Sequence, residues 1–372
     1  MSFRFNFSNA SDVSLNDNNG IAPEIPPIAP PVPHAATSPR LHTLEELVST
    51  LPQNISYNTL TISNASKPIH IPRRELYDVR MQLMAEDDDL PIDSTIILAS
   101  QSTKNSRIDK EKERTALLSF INGNEDVRPG VYEGGLKSWE CSVDLVQYLS
   151  SRADILHNCN PLKILELGCG TSLPSLYLFQ QALQPAAAGA YTLHLADYNY
   201  SVLRLVTLPN VFLSWVLATS PHLLTLPNGD LDVTAELKYY FLSSLQSANI
   251  SVGFISGAWG DEMLSLLSSK PHPQNGNGYD LVLGSETIYE PRTMGEFTKV
   301  LLGALGPRGR GLVSAKRIYF GVGGSVGGFI DIVKKREGGG WDVREVETVG
   351  REKGGVGGVI LEVKKVDELG EM

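Results

Sequence analysis

Cysteine is scarce in this chain. Its 372 residues include three, Cys141, Cys159 and Cys169, an odd number without a Cys-x-x-Cys pair. That excludes a disulfide framework and a zinc ribbon and fits a reducing compartment; no metal is expected. Basic charge is short as well, with 32 Lys and Arg against 42 Asp and Glu and a net charge of −10. A general nucleic-acid binder must neutralise phosphates with clustered Lys and Arg, so direct nucleic-acid contact is not expected. An acidic surface attracts a basic protein instead. No apolar run approaches the roughly 18 residues of a membrane span. Met1–Ser11 carry no basic flank before an apolar core, so neither a membrane span nor a secretory signal is expected.

What the chain does have is a 42% hydrophobic content, enough for one large α/β domain with an appendage or two modest ones. Residues 1–39, rich in Asn, Ser and Pro, read as a disordered arm. Residues 40–130 form a mixed accessory region, with a short helix at Thr43–Thr50, strand-like Asn58–Ser63 and Ile96–Ala99, and a helix at Asp109–Phe120. Regular alternation fills 131–372. Trp139, Val143, Val146 and Leu149 recur at helical spacing before strand Lys163–Leu167. A helix from Ser172, strand Thr192–Ala196 and a helix over Ser201–Ala218 follow. Residues 220–249, with Pro221 and Pro227, read as an insertion holding a helix near Glu236–Leu245. Strands Val252–Ile255, Leu281–Leu283 and Gly311–Ala315 then intersperse with helices Thr293–Leu305 and Val326–Arg336. Asp342–Thr348 and Val359–Lys365, joined by Gly-rich turn material, read as an antiparallel pair. The expected fold is a Rossmann-like α/β sheet of seven strands, mainly parallel with an antiparallel last strand, plus an N-terminal extension.

The most specific phrase is Lys163-Ile-Leu-Glu-Leu-Gly-Cys-Gly-Thr-Ser-Leu-Pro174, an apolar strand running into a glycine turn and a helix start. After Gly168 and Gly170, the third glycine of a dinucleotide fingerprint would fall at Leu173, so NAD is disfavoured. S-adenosylmethionine has no pyrophosphate. It needs close backbone approach at two glycines and acidic groups for its ribose hydroxyls and methionine ammonium, which Glu166, Gly168 and Gly170 fit.

Other strand tips carry further candidates. Asp197, in Asp197-Tyr198-Asn199, is placed to accept from ribose hydroxyls, or else caps the next helix. Trp259, in Gly257-Ala258-Trp259, covers the adenine or belongs to the core. In Ser285-Glu-Thr-Ile-Tyr289, Glu286 and Tyr289 are acid/base candidates beneath the transferable methyl, the bland alternative being that Glu286 caps a helix. Gly134–Ser142 folds over the methionine moiety as a lid, or packs as an ordinary helix start.

Tyr132–Ser142, Asp197–Asn199 with Val206-Thr-Leu-Pro-Asn-Val211, Ser285–Tyr289, and Ser314-Ala-Lys-Arg-Ile-Tyr-Phe-Gly-Val-Gly-Gly324 together resemble the histidine protein methyltransferases. The resemblance covers about 200 residues in a shared order. It implies a class I S-adenosylmethionine-dependent methyltransferase that modifies one histidine of large-subunit ribosomal protein uL3, in cytosol and nucleus. Apart from the resemblance, another basic protein is the alternative substrate and a monomer is expected. Carried across position by position, the resemblance implies cofactor contacts at Ser138, Trp139, Glu140, Cys141 and Ser142, at Gly168, at Asp197, Tyr198 and Asn199, at Gly257, Ala258 and Trp259, and at Ser285. Ser172 departs from the generic motif, where glycine is common, and Ala258 replaces a more usual acidic residue.

Three rivals remain. Gly323-Gly-Ser-Val-Gly327 fits a hydrolase nucleophile elbow, but the last histidine, His272, precedes Ser325, the wrong order for that class. A lysine methyltransferase would share the cofactor half. A scaffold without activity would bind a partner through the same crevice.

Overall fold

The computed structural model describes residues 37–64, 67–88, 114–115, 117–121, 134–152, 155, 161–184, 189–268, 278–319, 323–336, 340–350 and 357–366. Residues 1–36 of the arm expected over 1–39, strand-like Ile96–Ala99, the first part of the helix expected from Asp109, and residues Tyr132 and Glu133 lie outside the described residues.

Eight strands form the main sheet: β1 (Arg40–His42), β4 (Leu162–Leu167), β5 (Tyr191–Asp197), β7 (Ile250–Ser256), β8 (Tyr279–Ser285), β9 (Leu305–Lys316), β10 (Trp341–Val349) and β11 (Gly358–Lys365). Their order is β1-β7-β5-β4-β8-β9-β11-β10. β7, β5, β4, β8 and β9 run parallel, and β11 is antiparallel to both of its neighbours. The seven expected strands are therefore present with the last one antiparallel. The chain winds outward from β4 to β5 and β7 on one side and through β8 to β9 on the other, so the sheet switches direction beside β4. Ligand crevices of open α/β sheets form at such a switch, beyond the carboxyl ends of the strands.

The eighth strand, β1, was not expected. Three residues are too few to show a period of two. It pairs antiparallel with β7, Leu41 opposite Ile255, and covers that edge.

Two apolar layers sandwich the sheet, which is why its strands are almost continuously hydrophobic. In β4, Leu162 and Ile164 face one layer and Leu165 and Leu167 the other. The first layer holds α3 (Glu140–Ser150), α4 (Leu173–Ala182), α5 (Tyr200–Thr219) and α6 (Ala235–Ser247). The second holds α8 (Pro291–Ala304) and α9 (Val326–Lys335), with α7 (Asp261–Ser268) against α8. Helix α5 is long and apolar enough to cross a membrane, but it is mostly buried within the protein as a core helix.

The N-terminal region contributes α1 (Leu44–Val48), β2 (Asn54–Ile62), β3 (Ile69–Arg74) and α2 (Leu76–Asp88). β2 pairs with β3 on one side and with β6 (Asn228–Asp232) on the other. Residues 220–249 thus supply β6 and α6, and the second sheet joins them to the N-terminal region. Pro72 lies within β3, an edge strand, where a missing N–H is tolerated.

Candidate active site

The turn after β4 is built from left-handed backbone, with Gly168 at φ +64°, Gly170 at φ +48° and Ser172 at φ +63°. A Cβ on Gly168 would stand 3.0 Å from Thr287 Cγ2 and 3.4 Å from the Trp259 ring. One on Gly170 would lie 3.0 Å from the Gly135 carbonyl oxygen, so the chain before α3 passes close over the turn. Ser172 adopts a glycine-like conformation at a cost of roughly 1–2 kcal/mol. Its hydroxyl offsets this by donating to Glu166 Oε2 at 3.1 Å.

Glu166 is buried at the end of β4, and Oε2 also accepts the Ser175 N–H at 3.2 Å. Burial pushes its carboxyl up to about 7, the bonds from Ser175 and Ser172 opposing and the charge of Asp197 adding. Asp197, buried at the tip of β5, accepts the Gly170 N–H on Oδ2 at 2.9 Å and the Asn199 N–H on Oδ1 at 3.1 Å. It therefore ties β5 to the glycine turn and also holds the Asn199 amide at the approach to α5.

At the tip of β7, Gly257 (φ +116°) donates its N–H to the Asp197 and Tyr198 carbonyls at 3.1 Å. A Cβ there would meet Pro39 Cα at 2.6 Å. Ala258 N–H donates to the Thr37 carbonyl at 2.9 Å, and the Thr37 hydroxyl reaches the Tyr198 hydroxyl at 3.4 Å. Residues 37–39, just before β1, thus wall this turn, although the sequence reading placed them in the disordered arm. Trp259 packs edge-to-face on Phe297, centroids 5.1 Å apart, and flanks Gly168.

The start of α3 bridges two regions. Ser138 Oγ shares a 2.9 Å hydrogen bond with Thr171 Oγ1, and Trp139 Nε1 donates to the Gly134 carbonyl at 3.1 Å. Ser142 Oγ donates to the Trp139 carbonyl at 2.6 Å, closing the helix start. Glu140 and buried Cys141 turn instead toward the tip of β8.

There Ser285 lies opposite Ser314 across the β8–β9 pair. Glu286 follows at φ +55°, its N–H donating to the Ser314 carbonyl at 3.0 Å. It caps no helix, because α8 begins at Pro291 with Glu290 as its N-cap. Its side chain is 6% exposed and 3.7 Å from Lys316 Nζ, which is 3.9 Å from Glu140 Oε2. Neither carboxylate oxygen makes a hydrogen bond of good geometry among the described residues, although the Cys141 thiol and the Tyr319 hydroxyl both face it. The Cys141 thiol and the Tyr319 hydroxyl are each held well above their ordinary pKa, by burial first and then by the charge of Glu286. Tyr289 is half-buried, its ring 6.4 Å from that of Tyr319. Lys316 and Tyr319 had no role in the sequence reading, although both lie in the phrase beginning at Ser314. Ser325 accepts the Gly328 N–H at 3.1 Å as the N-cap of α9, a structural use of its hydroxyl. Among the described residues no group of three His, Cys, Asp and Glu is placed to hold a metal ion.

No family model matches the chain. Among curated proteins, it is 37% identical over 300 residues to histidine protein methyltransferase 1 of Saccharomyces cerevisiae, covering 76% of this chain and 74% of that one. It is 34% identical over 284 residues to the protein of the same name from Schizosaccharomyces pombe, with the same two coverages, 76% and 74%. The chain belongs to the histidine protein methyltransferase family. A homologue from Rattus norvegicus is 34% identical, covering 64% of this chain and 60% of its own length. Solved structures with remote resemblance include a precorrin-6Y methyltransferase from Geobacter metallireducens, 11% identical with a TM-score of 0.32 over 59% of this chain and 87% of that one. Another is an arsenic(III) S-adenosylmethionine methyltransferase from Chlamydomonas reinhardtii, 14% identical with a TM-score of 0.32 over 57% and 66%.

The residues around this turn can be tested against the S-adenosylmethionine expected from the sequence. Gly168 and Gly170 take left-handed backbone with no room for a Cβ against Thr287, Trp259 and Gly135, Glu166 and Asp197 put two acidic groups beside that turn, and the buried Thr287 hydroxyl has no partner among the described residues. Such a site suits a cationic, hydroxyl-rich ligand without a pyrophosphate.

Proposed function

We propose that this methyltransferase modifies a ring nitrogen of a histidine in a protein, that the protein is large-subunit ribosomal protein uL3, and that it works as a monomer in cytosol and nucleus. The names of the relatives support the histidine acceptor, and the net charge of −10 suits a basic substrate.

One observation carries the acceptor chemistry: the buried Glu286 carboxylate faces the Cys141 thiol and the Tyr319 hydroxyl without a well-formed hydrogen bond on either oxygen, and sits beside Lys316. A buried polar group in that state is placed for an incoming donor. The cofactor supplies an electrophilic methyl group on a sulfonium. Neutral imidazole needs no strong base, since one nitrogen keeps a free lone pair near neutral pH. Glu286 accepts the N–H of the other nitrogen, fixing tautomer and ring orientation, and takes up the proton that the ring must lose once methylated. Tyr289 and Tyr319 give the ring an aromatic wall.

The test incubates the protein with labelled S-adenosylmethionine and uL3 and locates the label by fragmentation. Label on a histidine is expected. A modified lysine overturns the acceptor assignment, and Glu286→Gln and Tyr289→Phe proteins that methylate at the wild-type rate with normal cofactor binding overturn the roles of those residues.

A further inference from the structure

Helix α5 contains a proline, Pro209, in its interior. Proline has no N–H and crowds the carbonyl four residues earlier, which here is Leu205. The helix answers with a π-helical turn over Leu203–Thr207. The Leu205 carbonyl left without its helical donor is taken by Arg74 Nη1 from the end of β3, at 3.0 Å. The guanidinium is almost wholly buried, 1% exposed, and its Nε donates to Asp78 at 2.6 Å.

The same stretch of α5 holds the cofactor turn. Thr207 Oγ1 donates to the Gly170 carbonyl at 2.7 Å. Asn210, fully buried, donates through Nδ2 to the next carbonyl, Thr171, at 3.1 Å. Its Oδ1 accepts the Arg74 backbone N–H at 2.8 Å. Two successive carbonyls of the turn are thereby fixed from one side, while Asp197 fixes the Gly170 N–H from the other. The left-handed φ of Gly170 is an outcome of these bonds as much as of the missing side chain.

We propose that Thr207 and Asn210 are positioning residues for the cofactor, and that Asn210 and Arg74 link the turn to the accessory sheet β3-β2-β6. S-adenosylmethionine affinity is then set in part by a region outside the doubly wound sheet. This rests on S-adenosylmethionine being the ligand of the Gly168–Ser172 turn. The residues touch neither acceptor nor reacting atoms, so they act on cofactor affinity and leave turnover at saturation alone.

The experiment uses the full chain and calorimetric titration with S-adenosylhomocysteine, which cannot react. Thr207→Val keeps the shape and removes the donor; Thr207→Ser keeps the donor. Asn210→Asp keeps the acceptor for Arg74 and turns an oxygen toward the Thr171 carbonyl. Thr207→Val and Asn210→Asp are each expected to raise Kd about tenfold, the scale of one lost buried hydrogen bond. Thr207→Ser is expected to stay within about threefold of wild type, and Arg74→Lys, which loses the planar fork, to raise Kd about threefold or more. KM for the cofactor rises in step, with kcat changed less than about threefold. Variants that lower the melting temperature but bind S-adenosylhomocysteine as wild type does overturn the proposal, as does a serine that fails to restore binding. A wild-type protein that does not bind S-adenosylhomocysteine takes down the cofactor reading and this proposal together, whereas wild-type binding with unaffected variants takes down this one alone.

Discussion

Replacing Glu166 with glutamine should change how stability depends on pH. The carboxyl is buried, and its pKa rises from 4.5 to about 7, mainly through burial. The folded protein therefore keeps the proton after the unfolded chain has lost it. Stability from this group is greatest below pH 4.5 and falls as pH rises through about 7, which corresponds to about 3 kcal/mol across that window. Glutamine does not ionise, yet its carbonyl oxygen can still accept from Ser172 Oγ and Ser175 N–H. Urea denaturation of both proteins from pH 4.5 to 8 isolates the effect, since all other titrating groups cancel in the difference. The variant should gain on the wild type by about 3 kcal/mol between the two ends. Parallel stability curves would refute a buried carboxyl with a raised pKa.

Gly170→Ala places a Cβ 3.0 Å from the Gly135 carbonyl on a left-handed backbone, and should cost about 1–2 kcal/mol and weaken S-adenosylhomocysteine binding in a titration. Unchanged affinity would show that the turn does not approach the ligand. Trp215 is fully buried between Phe212 and Phe241, and Nε1 donates to Ser244 Oγ at 2.8 Å. Trp215→Ala should cost about 3–5 kcal/mol in urea denaturation, because α6 loses its anchor as well as its packing; a loss under about 1 kcal/mol would place α6 outside the cooperative unit. Gly257→Ala drives a Cβ to within 2.6 Å of Pro39 Cα and should displace β1, read as faster protease cleavage near Arg40. Unchanged cleavage would contradict that packing.

The parts of the fold that sequence discloses are those whose causes are local. The strand Lys163–Leu167, its glycine turn and the β-branched run Val359–Lys365 each carry their own periodicity and breaker residues, and each falls within a residue or so of the observed element. Pro209 stands in plain view within Ser201–Ala218, yet the π-helical turn was not foreseen, since the donor that makes it tolerable is Arg74, 131 residues from Leu205. Lys316 beside Glu286 and Thr37 on the Ala258 amide escaped for the same reason: a lone charge or a lone carbonyl has no pattern until the fold delivers its partner. Ala258 was visible as a departure. That residues 37–39 fill the space beside it was not.

Strand β1 bears on how the chain comes together during synthesis. His42 hydrogen-bonds Ser256 at 2.8 Å across a separation of 214 residues, and Asn54 on β2 reaches Asp232 across 178. The residues of β1 therefore wait for more than 200 further residues before they find a place. Closing loops of that length slows the contact, so the amino-terminal segment should lock last. A pulse of hydrogen exchange during refolding would find its amides protected after those of β4 and β5.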